Sequence, residues 1–325
     1  MDRNIVTKTL TFVILAIIVT LAIWLCGSQP IAAYLLPFII AVCFTLIALW
    51  CGNVFAVAGL VIVSVLSYLF TKDILSSLFG ATVIAATGVV LGYLIQKRSG
   101  LVALVITAGA GFLISNGGYL LLINVISGVN PVSSFIQLLQ PSMVSGLEQS
   151  LIQMGLQDYA SKAVEVYQQF AQTVLQMFPA IIIISSACMG YFVLLLNYIV
   201  MAIFKSEYQI QLRFSKFKAD ATTVIIFFLA IMATFFLSEG VVATVFYNIY
   251  MILLFVLQIC GLSLVDHFLK YRWNWPLVLR IVGICFVFFL SCLPLVSAAL
   301  LIVAAIDSRR DFRKLNIESK DDREI

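Results

Sequence analysis

A succession of apolar stretches, each about as long as a bilayer is thick and separated by short polar breaks, limits this chain more than any other feature. A hydrocarbon core of ~30 Å calls for roughly 20 consecutive apolar residues in a helix. That gauge predicts spans near 9–27, 30–50, 53–70, 74–96, 101–127, 179–204, 222–238, 240–269 and 277–306. Breaks fall at Gly27-Ser28-Gln29-Pro30, Cys51-Gly52-Asn53, Thr71-Lys72-Asp73, Gln96-Lys97-Arg98-Ser99-Gly100 and Ser238-Glu239-Gly240. Backbone polar groups in lipid must be satisfied within their own segment, so the spans are expected to be helices rather than strands. The expected fold class is all-α, a polytopic transmembrane helix bundle of eight to nine spans. Composition argues against a soluble alternative. The chain is 63% hydrophobic and 10% charged, whereas a water-facing domain is about 45–50% apolar and about 25% charged.

Lysine and arginine counts orient the bundle. With the N-terminus in the cytoplasm, the inner segments hold Arg3, Lys8, Lys97, Arg98, Lys205, Arg213, Lys216, Lys218, Lys270 and Arg272, ten against the two outer cations Lys72 and Lys162. Cytoplasmic loops carry such an excess in bacterial inner membranes, and this is the expected location. Trp24 and Tyr68 fall at outer ends, and Trp50, Trp273 and Trp275 at inner ends, as aromatic belts do. Arg3 and Lys8 precede a run that continues to Trp24 without a small-residue cleavage site, so it reads as the first span and not a signal peptide. Nine full crossings would put Arg309, Arg310, Arg313 and Lys314 outside. A turn of the last run near Pro294 would return them to the inner side. Beyond Asp307 the chain reads as a solvated, charged tail.

The longest non-spanning stretch, 128–178, is glutamine-rich and is predicted to lie outside. From Asp158 onward Tyr159, Ala163, Val166, Phe170, Val174 and Met177 recur at three- and four-residue steps. They form one face of an amphipathic helix, suited to the membrane interface or to covering a mouth between spans.

Several function classes lose support here. The net charge of +4 is spread over short loops, and no basic face with interleaved aromatics emerges, so nucleic acid is not an expected partner. Seven cysteines without a C-x-x-C pair, and the single histidine His267, give a zinc site too few ligands. Phosphate loops, H-E-x-x-H and G-x-S-x-G are missing from the sequence, and neither an enzyme activity nor a cofactor is expected.

The informative residues are small or polar ones inside the spans. Gly88 and Gly92, four apart, suit close helix packing. Asn116, Asn124, Asn197, Asn248, Gln258, Asp266, His267 and Arg280 are polar within apolar runs, and such residues usually face the bundle interior or a cavity. Asn116, Asn124 and Asn197 are the candidate ligand contacts. Asn248 and Asp266, eighteen residues or five turns apart, share a helix face. Asp266 and Arg280 lie near the same end and are the candidate ion pair.

The order of a glycine-bearing span (Gly88-Val89-Val90-Leu91-Gly92-Tyr93, then Lys97-Arg98), a long outer amphipathic segment and the Ser238-Glu239-Gly240 turn resembles the YybS-like family of uncharacterised bacterial membrane proteins. Leu257-Gln258 with Gly261, and the closing Ile306-Asp307 with Asp311-Phe312-Arg313-Lys314-Leu315, are similar too. That family is grouped loosely with the substrate-binding S components of energy-coupling-factor vitamin transporters. The resemblance implies a six-helix module over 1–205 with an outward pocket, followed by 206–325 as cytoplasmic loop, further spans and tail. It also implies an ATPase partner. S components often dock through Ala-x-x-x-Ala in the first span, where this chain has Ala16 and Thr20. Two readings stay open: transport-related binding or uptake of a small molecule, and a membrane scaffold or regulator that binds a protein partner through loop 205–221 and tail 307–325. The lipid bilayer is a partner in both.

Overall fold

Lipid offers a backbone no hydrogen-bond partner but itself, and every apolar stretch forms helix. The computed structural model describes residues 3–28, 30–128, 130, 133–134, 146, 150, 152–154, 157–208, 214–237, 240–310 and 312–313, and no strand occurs among them. The helices are α1 (Arg3–Ser28), α2 (Pro30–Leu46), α3 (Asn53–Thr71), α4 (Ile84–Gln96), α5 (Leu101–Ser127), α6 (Gln157–Ile203), α7 (Ala221–Phe236), α8 (Val241–Tyr271), α9 (Leu277–Leu290) and α10 (Pro294–Arg310). Two π-helical segments, Ile47–Cys51 and Ser76–Val83, extend α2 and lead into α4. Ser238, Glu239, Arg213, most of 129–156 and the tail from Lys314 onward, all drawn on above, lie outside the described residues.

Among the described residues, six helices are long and apolar enough to cross a membrane: Val6–Trp24, Asn53–Thr71, Ser76–Gln96, Leu101–Ser127, Glu165–Ile203 and Val241–Tyr271. By length and composition the described residues give fewer helices of this kind than the eight to nine spans expected from run lengths. Ala221–Phe236 is apolar but shorter than a span, while α2 and its π-helical extension run together from Pro30 to Cys51, about a span's length. The last run breaks at 291–293, where α9 and α10 bend by 117°, so that pair counts as one span at most. The chain is a multi-pass helical membrane protein, with six such helices among its described residues, or seven with the bent pair.

Breaks between helices use backbone that few residues adopt. Gly52 (φ 100°) and Gly240 (φ 102°) precede α3 and α8 in a region open in practice to glycine alone. Lys72, Arg98, Lys205 and Asn274 are left-handed non-glycine residues just after helix ends; three are cations, which favour the negative end of a helix dipole. Asp73 accepts hydrogen bonds from the Leu75 and Ser76 amides and the Ser76 hydroxyl. The hydroxyl contributes most to holding its carboxyl below the usual carboxylate range.

The amphipathic stretch from Asp158 is continuous with the apolar run that follows it. It is the start of α6, which runs unbroken for 47 residues with Pro179 inside it, ~70 Å at 1.5 Å per residue. Val166 and Phe170 on the predicted apolar face are exposed.

The contacts divide the chain into two compact units, residues 1–175 with 181–212, and residues 176–180 with 213–325. In the first, α4 packs against α2 through glycine. A Cβ on Gly88 would stand 2.5 Å from the Ala41 carbonyl oxygen, and one on Gly92 2.6 Å from the Ala48 Cβ and 2.9 Å from the Thr45 carbonyl oxygen. Thr45 closes the seam, its hydroxyl within hydrogen-bond distance of the Ala41 carbonyl (2.8 Å) and the Gly88 carbonyl (3.1 Å). The α5–α6 contact uses the same device, with Gly190 set against the Gly109 amide. One end of this unit gathers residues from four helices: Cys51 donates to the Lys8 carbonyl, Gln96 donates to the Ala48 carbonyl, and Trp50 packs on Phe204.

Because the obstacle at Gly88 is backbone, Gly88→Ala is expected to destabilise by about 1–3 kcal/mol through forced helix separation. Gly80→Ala, with open space around the position, should stay near wild type. Thermal midpoints of the two purified variants in one detergent check the contrast, and equal midpoints would mean the seam is not tight.

In the second unit α7 and α10 each pack along α8 and touch each other little. Phe227 stacks on Tyr250 at 5.7 Å, Gly261 admits the Leu300 carbonyl oxygen at 2.7 Å from where its Cβ would lie, and Gln258 donates to the Ser297 hydroxyl at 2.7 Å. No residue of α9 is buried. The turn expected near Pro294 is present as the α9–α10 bend.

Candidate binding groove and its polar nodes

The three candidate asparagines sit in separate settings. Asn116 on α5 reaches Met189 on α6 through its amide, 3.7 Å to the sulfur. Asn124, eight residues further along α5 or ~12 Å, is exposed at the helix end, where its carbonyl accepts from Gly128. Asn197 is wholly buried; its amide nitrogen donates to the Val193 carbonyl of its own helix at 3.0 Å, and its amide oxygen has no partner among the described residues. No hydrogen bond joins any two of the three.

The polar residues of the second unit do meet. Arg280 clasps Asp266 with a two-pronged ion pair, Nε to Oδ1 at 2.9 Å and Nη2 to Oδ2 at 2.8 Å, which ties the start of α9 to α8. Asn248, on the same α8 face as Asp266, turns to α6 instead. Its Oδ1 accepts from the Ala180 amide at 2.8 Å, and its Nδ2 donates to the Gln176 and Thr244 carbonyls at 2.8 Å each. Ala180 and Gln176 flank Pro179, so the side-chain amide stands where the proline upsets the helix ladder. His267, singled out as the chain's one histidine, packs against Tyr271 at 4.6 Å. Among the described residues no three His, Cys, Asp or Glu side chains come together to hold a metal ion.

The largest departure from the sequence reading lies just past α10. Asp307 and Arg313, expected in a solvated tail, are buried at 1% and 4% exposure. Arg313 Nε lies 3.1 Å from Asp307 Oδ2, and Asp307 Oδ1 accepts from the Phe312 amide at 3.1 Å. The guanidinium also donates to the Ser215 and Phe217 carbonyls (2.8 and 2.9 Å), the Ser263 hydroxyl (2.7 Å) and the Cys260 carbonyl (3.1 Å). One arginine thus joins the segment preceding α7, the middle of α8 and the end of α10. The sequence held a faint signal for it, an aspartate at the close of an apolar run with an arginine six residues on.

Between α7 and α10, over α8, runs a groove of about 890 Å³. Its floor includes Phe227 and Leu257, 4% and 1% exposed, and its rims include Phe228 and Ile302, 55% and 59% exposed. Side chains with polar groups lie at its ends, Tyr250 at one and Ser308, Arg309 and Arg310 at the other. The size matches small-molecule sites, which run to ~300–1,000 Å³ with mostly apolar walls and a few placed polar groups. Sequence reasoning missed this site because its residues are spread over three helices far apart along the chain.

Residues 13–308 match the model of a family described as "Predicted membrane protein (DUF2232)". Searches of curated proteins and of solved structures return no match.

Proposed function

We propose, for a chain that belongs to the DUF2232 family of predicted membrane proteins, a transport-related role in a bacterial cytoplasmic membrane. The protein binds a small amphipathic molecule in the groove of its second unit as part of that role. The first unit, its helices drawn close at Gly88 and Gly92, serves as the S-component-like body. The observation that carries this reading is the groove itself: about 890 Å³ of mostly apolar wall with polar groups at its ends. Asn116, Asn124 and Asn197 are the second choice of site, since each is engaged separately.

Protein purified from its native membrane is expected to retain one small molecule detectable by native mass spectrometry. Ile302→Trp and Ile225→Trp, which fill the groove from exposed rim positions, should each deplete it severalfold without lowering the thermal midpoint. Asn116→Leu with Asn124→Leu should leave it in place. Equal retention in wild type and both rim variants rules the groove out, and loss in the asparagine variant moves the site to the first unit.

One observation favours the scaffold reading as an alternative. Arg313 binds the 214–217 segment to the start of the tail, so both form one surface for a partner. Copurification in mild detergent separates the readings: an ATPase subunit accords with transport, a cell-envelope or signalling protein with scaffolding.

A further inference from the structure

This inference rests on the groove reading and names the chemical class of its ligand. Along α10 the groove extends from Ala298 to Arg310, twelve residues or ~18 Å, and along α7 from Ala221 to Ile231, ten residues or ~15 Å, at 1.5 Å per residue. Half of a ~30 Å hydrocarbon core is ~15 Å. The apolar trough is therefore one leaflet deep. A soluble, hydrophilic solute would leave walls such as Phe227, Phe228 and Leu301 facing polar groups, whereas an extended hydrocarbon chain would cover them.

The charged end fixes the rest. Arg309 and Arg310 close the groove where α10 ends. Both are exposed, and neither makes an ion pair among the described residues. The carboxylate nearest on their own helix, Asp307, is already engaged by the buried Arg313. The same contact holds this end of α10 beside the segment carrying Lys216 and Lys218, while Asp220, the N-cap residue of α7, is exposed. Two adjacent guanidinium groups at the polar limit of an apolar trough fit a phosphate, which arginine recognises with paired hydrogen bonds. Basic pockets between membrane helices bind anionic headgroups in this manner.

We propose that the groove holds an anionic phospholipid from the leaflet on the basic side, an acyl chain lying over Phe227 and Leu257 and the phosphate at Arg309 and Arg310. A zwitterionic phospholipid of the same chain length carries the same phosphate but adds a cation beside it, which two guanidinium groups disfavour, so the site selects by headgroup charge.

The full-length protein, delipidated in detergent, is offered equal amounts of phosphatidylglycerol and phosphatidylcholine with matched chains, and retained lipid is counted by native mass spectrometry. Wild type is expected to favour phosphatidylglycerol about tenfold or more, given ~1 kcal/mol per basic side chain near an anionic lipid. Arg309→Gln with Arg310→Gln should bring the ratio close to one while lipid is still retained. Arg309→Lys with Arg310→Lys should recover most of the preference. Ile302→Trp should remove both lipids.

A wild-type ratio near one overturns the proposal, as does a ratio unmoved by the glutamine pair. Displacement of phosphatidylglycerol by inorganic phosphate alone, at equal concentration, would show a soluble-anion site and also overturn it. Retention that Ile302→Trp leaves unchanged defeats the groove reading itself, whereas loss of both lipids in that variant, with a wild-type ratio of one, leaves the groove standing and removes only the headgroup claim.

Discussion

Asp307→Asn is expected to lose about 3–5 kcal/mol of stability in the second unit, because it strands a buried guanidinium without its counter-charge. Arg313→Gln should cost at least as much. It leaves the Asp307 carboxylate buried and also withdraws donors from the Ser215, Phe217 and Cys260 carbonyls and the Ser263 hydroxyl. Burial decides the size: at 1% and 4% exposure water cannot replace the missing partner, whereas an exposed pair would matter by ~0–1 kcal/mol. The paired change Asp307→Leu with Arg313→Met removes both charges, and it should melt above either single variant though below wild type, since the loop carbonyls remain unmet. Thermal unfolding in detergent gives the order. Peptide-resolved alkylation of Cys260, itself buried, reports whether the node has opened; a Cys260 no more reactive in Arg313→Gln than in wild type would show that the arginine does not hold α8, α10 and the loop together.

How much of this was legible follows from which interactions are local. Run length located the apolar part of each long helix, because lipid imposes its requirement on each segment separately, whereas the polar first half of α6 was legible only as an amphipathic face. The bend near Pro294 was legible for a similar reason: a proline inside a run too long for one span, with basic residues beyond it, leaves few solutions. Gly88 and Gly92 could be singled out because four-residue spacing is a property of one helix. Partners from distant stretches could not be read. Arg313 looks like one more charge in a charged tail until residues 215, 217, 260 and 263 surround it. The groove is invisible for the same reason, being a gap between α7 and α10 that no single helix encodes. Polar type was also a poor guide to convergence: Asn116, Asn124 and Asn197 are alike in sequence, yet one meets a methionine sulfur, one lies exposed, and one is bound to its own helix. At α7 the apolar run is near full length but the helix stops at Phe236.

Asn248→Leu should destabilise by about 2–4 kcal/mol, and the proline should be the reason. Pro179 has no amide hydrogen and crowds the carbonyl four residues before it, so helix pairing is disturbed around residues 175–180. The Ala180 amide and Gln176 carbonyl would ordinarily pair with each other at i and i−4; here the Asn248 side chain takes both, at 2.8 Å each. Leucine has nearly the same size but satisfies neither, and a buried unmet backbone group costs about 1–3 kcal/mol. In a Pro179→Ala background the regular ladder can close without help, so the same Asn248→Leu change should cost at most about 1 kcal/mol. The coupling measured by the four proteins of this cycle isolates the repair of the proline break from ordinary packing at position 248. An Asn248→Leu penalty that is identical in the proline and alanine backgrounds would mean that the amide stabilises α8 against α6 by contact alone, and that α6 passes through Pro179 unaided.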